Sequence, residues 1–170
     1  MDFLSSIKDL IPDYAKDIRL NIDGVIARSS LPPEDALGVA LAAAFAAKSK
    51  PIIDILRANT PAPEANAALT AAALMGMNNV WYPFVEMAED ADLKTQRAEL
   101  RMNAYATSGG VDKKKFEAYA LSASIVGKCH FCVGSHYALL KKEGYTTQQL
   151  RDIGRIAAVI NAASQVIVAG

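Results

Sequence analysis

One pattern limits the fold more than any other. Apolar residues, mostly alanine and leucine, return at intervals of three and four, and prolines fall where such runs begin. That spacing lines one face of a helix, whereas a half-buried strand needs strict alternation of β-branched residues, which is scarce here. Proline fits the first turn of a helix, where its missing N–H has no intrahelical partner to lose. The reading is all-α: a helical bundle, taken as a single domain over 1–170, a length that suffices to bury one core.

Prolines and glycines then mark boundaries. Helices are predicted over 2–10, 12–21, 33–48 and 49–58, and Thr60-Pro61-Ala62-Pro63 predicts a linker. Further helices are predicted over 64–76, over 78–87 with Pro83 in the first turns or at a kink, and over 93–107. Ser108-Gly109-Gly110 predicts a loop, and Asp112 the N-cap of a helix that Gly127 breaks. The next helix runs from Cys129 to about Glu143 and ends at Gly144; Thr146 with Gln149 forms a capping box for a last helix to about Val168. Leu74-Met75-Gly76-Met77-Asn78-Asn79 echoes Ile125-Val126-Gly127-Lys128-Cys129-His130 at a spacing of 51 residues. As a repeat, this gives duplicated helical hairpins, about 64–107 and 113–168, with thiols only in the second.

Lysine plus arginine number 18, as do aspartate plus glutamate, so no positive field draws in nucleic acid. The densest basic run, Lys113-Lys114-Lys115, is expected as a solvated first helical turn. The longest apolar run, 37–47, falls well short of the ~20 residues that span a bilayer, and Met1-Asp2-Phe3-Leu4 carries no basic signal region. A cytoplasmic protein without membrane attachment is the expectation. There, two lone cysteines read first as redox-active or metal-binding, and only third as a structural staple.

Both cysteines and both histidines of the chain fall within the eight positions from Cys129 to His136. On a helix, Cys129, Cys132 and His136 share one face, since three and seven residues are close to whole turns. The first turn also offers unpaired N–H groups and the positive end of the helix dipole, both of which favour thiolate. His136, one turn beyond Cys132, can exchange a proton with it, while His130 points elsewhere. If the chain turns back at Gly127, Glu117 on the preceding helix lies level with His136 and can orient the imidazole.

Thiolate formation alone is not enough. A thiol of pKa ~8.5 is about 3% ionised at pH 7, and lowering the pKa to ~6.5 raises that roughly 25-fold. Nucleophilicity falls meanwhile by about 8-fold, leaving only about a threefold gain. An efficient enzyme must also protonate its leaving group, and Glu117 with His136, or the second thiol, is the candidate source.

The pattern Glu117, eleven residues, Cys129-x-x-Cys132, three residues, His136 resembles the alkyl hydroperoxidase D (AhpD) family of the carboxymuconolactone decarboxylase-like superfamily. Pro12-Asp13-Tyr14-Ala15-Lys16-Asp17-Ile18 and Met75-Gly76-Met77-Asn78-Asn79-Val80 carry the same resemblance elsewhere in the chain. It implies an AhpD-like all-helical homotrimer that reduces organic hydroperoxides and regenerates a partner peroxiredoxin, alkyl hydroperoxide reductase C (AhpC). It implies no bound cofactor; electrons come from a lipoyl dithiol on a dehydrogenase component. By the same resemblance Cys132 attacks and passes through a sulfenic acid, Cys129 is proton donor and resolving thiol in a Cys129–Cys132 disulfide, and Glu117 and His136 relay protons.

One departure stands out: members of the family carry a histidine directly before the second cysteine, where this chain has Phe131, with His130 one position earlier as a possible accessory. The direction of attack stays open, because an exposed first cysteine would favour Cys129 against disulfides while the nearness of His136 favours Cys132. Two further readings stand beside the thiol enzyme. One is a zinc-binding module with Cys129, Cys132, His136 and Glu117 as ligands, although ligands crowded onto one helical face are unusual for zinc. The other is a decarboxylase or isomerase of the wider superfamily, whose chemistry does not need two thiols.

Overall fold

A computed structural model describes all residues, 1–170. Helix follows helix: α1 (Leu4–Lys8), α2 (Lys16–Val25), α3 (Pro33–Ala46), α4 (Lys50–Asn59), α5 (Ala62–Ala88), α6 (Ala91–Thr95), α7 (Asn103–Ala106), α8 (Lys113–Gly127), α9 (His130–Lys142) and α10 (Thr147–Ala169), with single 3-10 turns at Asp13–Ala15 and Ser108–Gly110. The all-α expectation holds.

At the centre is α3, whose residues from Asp35 to Ala44 are buried without interruption. A helix apolar on every side must be surrounded, and its alanines let α5, α8 and α10 approach closely. Gly38 marks the tightest approach: a Cβ there would lie 2.3 Å from Cε1 of the fully buried Tyr119 on α8. Helix α10 is long and apolar enough to cross a membrane by length and composition. Here its Leu150, Ile153, Ile156, Ala157, Ile160 and Ala163 face the core instead. Its buried Asp152 accepts from the backbone N–H and hydroxyl of Ser30, both at 2.8 Å.

The helix expected over 12–21 begins later, because the chain after Pro12 first makes the 3-10 turn Asp13–Ala15 and only then enters α2. Four further sequence expectations need correction. Residues 60–63 are not a linker, because α5 begins at Ala62 and takes Pro63 into its first turn. The helices expected over 64–76 and 78–87 are one helix of 27 residues that contains both Gly76 and Pro83. Gly76 costs an exposed helix only about 1 kcal/mol. Pro83 removes the N–H that the Asn79 carbonyl would accept, but the turns around it are held by Asn79 and by aromatic contacts at Trp81, Tyr82 and Phe84. By contrast 93–107 is not one helix: α6 ends at Thr95, and the chain runs irregularly to α7 with Glu99 in the left-handed region (φ 52°). Nothing from Gln96 to Arg101 is buried, so no packing holds a helix there.

The lysine run is the fourth. Lys115 turns inward and lies 3.4, 3.3 and 3.2 Å from carboxylate oxygens of Glu34, Asp35 and Glu64. It thereby ties the start of α8 to α3 and α5. The predicted caps are in place: the Asp112 carboxylate accepts from Lys114 N–H at 2.8 Å, and Thr146 with Gln149 completes the capping box.

Candidate active site

The site is assembled where α8 turns into α9 against the middle of α5. Lys128 closes α8 in a left-handed conformation (φ 55°), and the Cys129 N–H returns to the Ser124 carbonyl at 3.3 Å. Cys129 is thus the N-cap of α9, and its sulfur accepts the Cys132 N–H at 3.3 Å. The two cysteines are disulfide-bonded, with Cα atoms 5.3 Å apart, as two positions in the opening turn of a helix allow.

Helix α5 backs the pair. Both sulfurs lie 3.7 Å from the Asn78 carbonyl oxygen. In the dithiol that oxygen can accept an S–H from either cysteine, but it offers nothing to a thiolate. The neighbouring Asn79 donates through Nδ2 to the Ala123 carbonyl at 3.1 Å and so pins α5 to the end of α8. Only glycine fits at 127 beside it, because a Cβ there would lie 2.1 Å from Asn79 Nδ2.

Glu117 and His136 meet across the hairpin as the register predicted, with His136 Nδ1 2.6 Å from Glu117 Oε2. Glu117 is 1% exposed and His136 5%. The other imidazole nitrogen, Nε2, lies 3.2 Å from Met75 Sδ, and Asn78 Nδ2 is 3.9 Å from the same sulfur. Burial pushes the Glu117 carboxyl up, but hydrogen bonds from His136 and Tyr105 outweigh it and hold the group below the usual carboxylate range.

Tyr105 on α7 is the residue that sequence reasoning missed. Its hydroxyl donates to Glu117 Oε1, the oxygen that His136 does not take. Burial, followed by the adjoining Glu117 carboxylate, pushes the phenol far above its ordinary ionisation, so it remains a donor. No motif signals it, because Tyr105 belongs to a short helix after an irregular segment and comes to Glu117 only through the tertiary fold.

A cavity of about 400 Å³ opens on this constellation. Cys132, Ser135 and His136 line it from α9, Asn78 and Tyr82 from α5, and Arg97, Leu100, Met102 and Tyr105 from the segment between α6 and α8. Phe131 stands at the rim, 58% exposed, its ring stacked on Tyr82 with centroids 4.1 Å apart. Both cysteines are buried, but Cys132 lines this cavity and Cys129 does not, so the first cysteine is not the exposed one. His130 lies apart: it is exposed, its Nδ1 is 3.3 Å from Glu86 Oε1, and it does not line the cavity. The four residues of the zinc reading do not converge on a point. The sulfurs are bonded to each other, and His136 turns one nitrogen to Glu117 and the other to Met75.

Comparison with known proteins points the same way. Residues 91–169, which hold Tyr105, Glu117, both cysteines and His136, match the carboxymuconolactone decarboxylase family. Over 168 residues the chain is 41% identical to the alkyl hydroperoxide reductase AhpD of Rhodospirillum centenum, spanning 96% of this chain and 90% of that protein. It is 38% identical over 170 residues to the protein of the same name from Coxiella burnetii, spanning 96% of each. A third so named, from Maricaulis maris, is 38% identical over 170 residues and is matched across 98% of both chains.

Proposed function

From the premise that this chain belongs to the alkyl hydroperoxide reductase AhpD family, we propose that it is a dithiol peroxidase and disulfide reductase fed by a lipoyl dithiol. The observation that carries the reading is the placement of Cys132: bonded to Cys129, it opens on a cavity that it shares with His136, whose imidazole is held by the buried Glu117.

The cycle starts from the dithiol. His136, with Nδ1 held by Glu117, frees Nε2 from Met75 Sδ to take the Cys132 proton, and the Cys132 thiolate attacks the terminal oxygen of an organic hydroperoxide. The O–O bond breaks, the alkoxide leaves as an alcohol with a proton from the relay, and Cys132 becomes a sulfenic acid. Cys129 then attacks the Cys132 sulfur, water departs, and the disulfide present in the structure forms.

Reduction runs through the same sulfur, because Cys132 is the one that reaches the cavity. A dihydrolipoyl thiolate attacks Cys132 and expels Cys129. The leaving Cys129 sulfur stays at the N-terminus of α9, where it accepts the Cys132 N–H, an arrangement that favours a leaving thiolate. The second lipoyl thiol closes the lipoyl disulfide and frees Cys132. One hydroperoxide and one dihydrolipoyl group thus yield alcohol, water and the oxidised lipoyl group.

In this reading the partners are a lipoyl-bearing dehydrogenase component and the peroxiredoxin AhpC, whose disulfide the dithiol would reduce by the same exchange. Reduced lipoyl protein fits the cytoplasmic setting expected from the sequence. The exposed apolar residues Val80, Phe84 and Met87 on the second half of α5 support self-assembly, and the family resemblance makes that assembly a homotrimer.

The test is steady-state reduction of cumene hydroperoxide by dihydrolipoamide. The wild type is expected to turn over and His136→Ala to lose about 10²–10⁴-fold in kcat, the range for a general acid–base group. A wild-type rate no faster than the uncatalysed reaction contradicts the reading.

A further inference from the structure

We propose that Tyr105 is a positioning residue of the thiol site, whose hydroxyl occupies the second oxygen of Glu117 and holds that carboxylate turned toward His136. The inference rests on the thiol-enzyme reading, since it needs His136 to exchange a proton with Cys132.

Glu117 sits where three elements meet. It belongs to α8, takes His136 Nδ1 from α9 on one oxygen, and takes the Tyr105 hydroxyl from α7 on the other. A carboxylate 1% exposed has no water to fall back on, so each oxygen must find its donor within the protein. Tyr105 meets this need from the cavity side: its ring lines the cavity, its edge packs on Phe116 with centroids 5.5 Å apart, and its hydroxyl points inward to the carboxylate. With both oxygens occupied, Glu117 cannot rotate away from the imidazole without breaking two hydrogen bonds.

The consequence is a pH dependence of defined sign. Glu117 is faced by Tyr105 from α7, by His136 from α9, and by the charge of Lys113 one turn earlier on its own helix. Removing the phenol hydroxyl takes away a donor to the charged form and leaves burial less opposed, so the carboxyl protonates at higher pH. Protonated Glu117 no longer anchors an imidazolium at 136, and the relay fails from the acid side first. A tyrosine that only packed would show none of this, because phenylalanine keeps the ring and its contact with Phe116.

The experiment uses the reduced full-length protein and needs neither peroxide nor lipoyl donor. Alkylation of Cys132 by iodoacetamide is followed by peptide mass spectrometry across pH in wild type, Tyr105→Phe, Glu117→Gln and the double variant. In parallel, the Glu117 carboxyl is titrated by carbon-13 NMR in wild type and Tyr105→Phe. Tyr105→Phe is expected to slow alkylation by about tenfold at the acid end, to converge on wild type at the alkaline end, and to raise the carboxyl titration. In the Glu117→Gln background it is expected to change nothing further. A Tyr105→Phe curve that follows wild type at every pH overturns the proposal, and so does an equal effect in both backgrounds. If the double variant does not fold, the carboxyl titration alone decides. Peroxide turnover of the wild type reports separately on the function, which can fail while the Tyr105 coupling stands.

Discussion

His136 and Glu117 lie nineteen residues apart in the chain and face each other across the α8–α9 turn, with Nδ1 2.6 Å from Oε2 and both side chains removed from solvent. The contact makes Glu117 a charged group that the fold needs as well as the chemistry. Its carboxyl titrates lower in the folded protein than in the unfolded chain, so the stability it contributes is complete above the unfolded value of ~4.3 and is lost as pH falls through the folded one. Glu117→Gln is expected to cost about 1–3 kcal/mol at pH 7, as for a buried hydrogen-bonded charge. Urea unfolding at pH 7 and again below pH 4 checks this: the gap between wild type and variant shrinks on acidification.

Cys129→Ser and Cys132→Ser are both expected to abolish turnover with dihydrolipoamide and to leave the helical circular dichroism unchanged. They separate on a single exposure to hydroperoxide. Cys129→Ser leaves a sulfenic acid on Cys132 that dimedone captures, because no thiol remains to close the bond. Cys132→Ser gives no adduct, because Cys129 does not reach the cavity. Turnover persisting in Cys132→Ser contradicts the assigned roles.

Gly127 and Gly76 stand at corresponding places in the sequence echo but differ in their surroundings. A Cβ at 127 collides with Asn79 Nδ2 at 2.1 Å, while one at 76 meets nothing within 4 Å. Gly127→Ala is expected to cost about 1–3 kcal/mol, as overpacking does, and to slow turnover by moving the Asn78 carbonyl away from the sulfurs. Gly76→Ala, in an exposed helix interior, is expected to stabilise by about 0.5–1 kcal/mol. Thermal melts of the two variants, shifted in opposite directions, check this.

The same contrast shows what the sequence could and could not disclose. Helical period, the proline-led start at Pro33, the Asp112 cap and the Thr146–Gln149 box are local, and each appears where it was expected. The hairpin register is nearly local too: once Gly127 is a turn, the pairing of Glu117 with His136 follows from counting. The continuity of α5 through Gly76 and Pro83 is not local, because long-range contacts such as Asn79 to Ala123 hold a helix that its own residues would interrupt. Nor is the irregular stretch before α7, whose Ala98, Leu100 and Met102 line a cavity. Tyr105 stayed hidden for that reason, and Lys115 because its three carboxylate partners come from two other helices.

Phe131 stands directly before the second cysteine, and its stack on Tyr82 shapes the cavity that both residues line. Its large exposure places it outside the core. Phe131→Ala is expected to raise KM for bulky apolar hydroperoxides by about 3–10-fold, the worth of one aromatic contact, with kcat for hydrogen peroxide unchanged. Steady-state kinetics on both peroxides check it; equal losses on the two would point to a catalytic role for Phe131 instead.

The redox cycle of the Cys129–Cys132 pair is tested most directly by counting thiols by mass spectrometry. The reduced protein is measured before and after one equivalent of an organic hydroperoxide, and again after dihydrolipoamide. Loss of both thiols with a Cys129–Cys132 link, followed by their return, is the predicted result. Two thiols that ignore the peroxide and become reactive only after a chelator is added would contradict the cycle and restore the zinc reading.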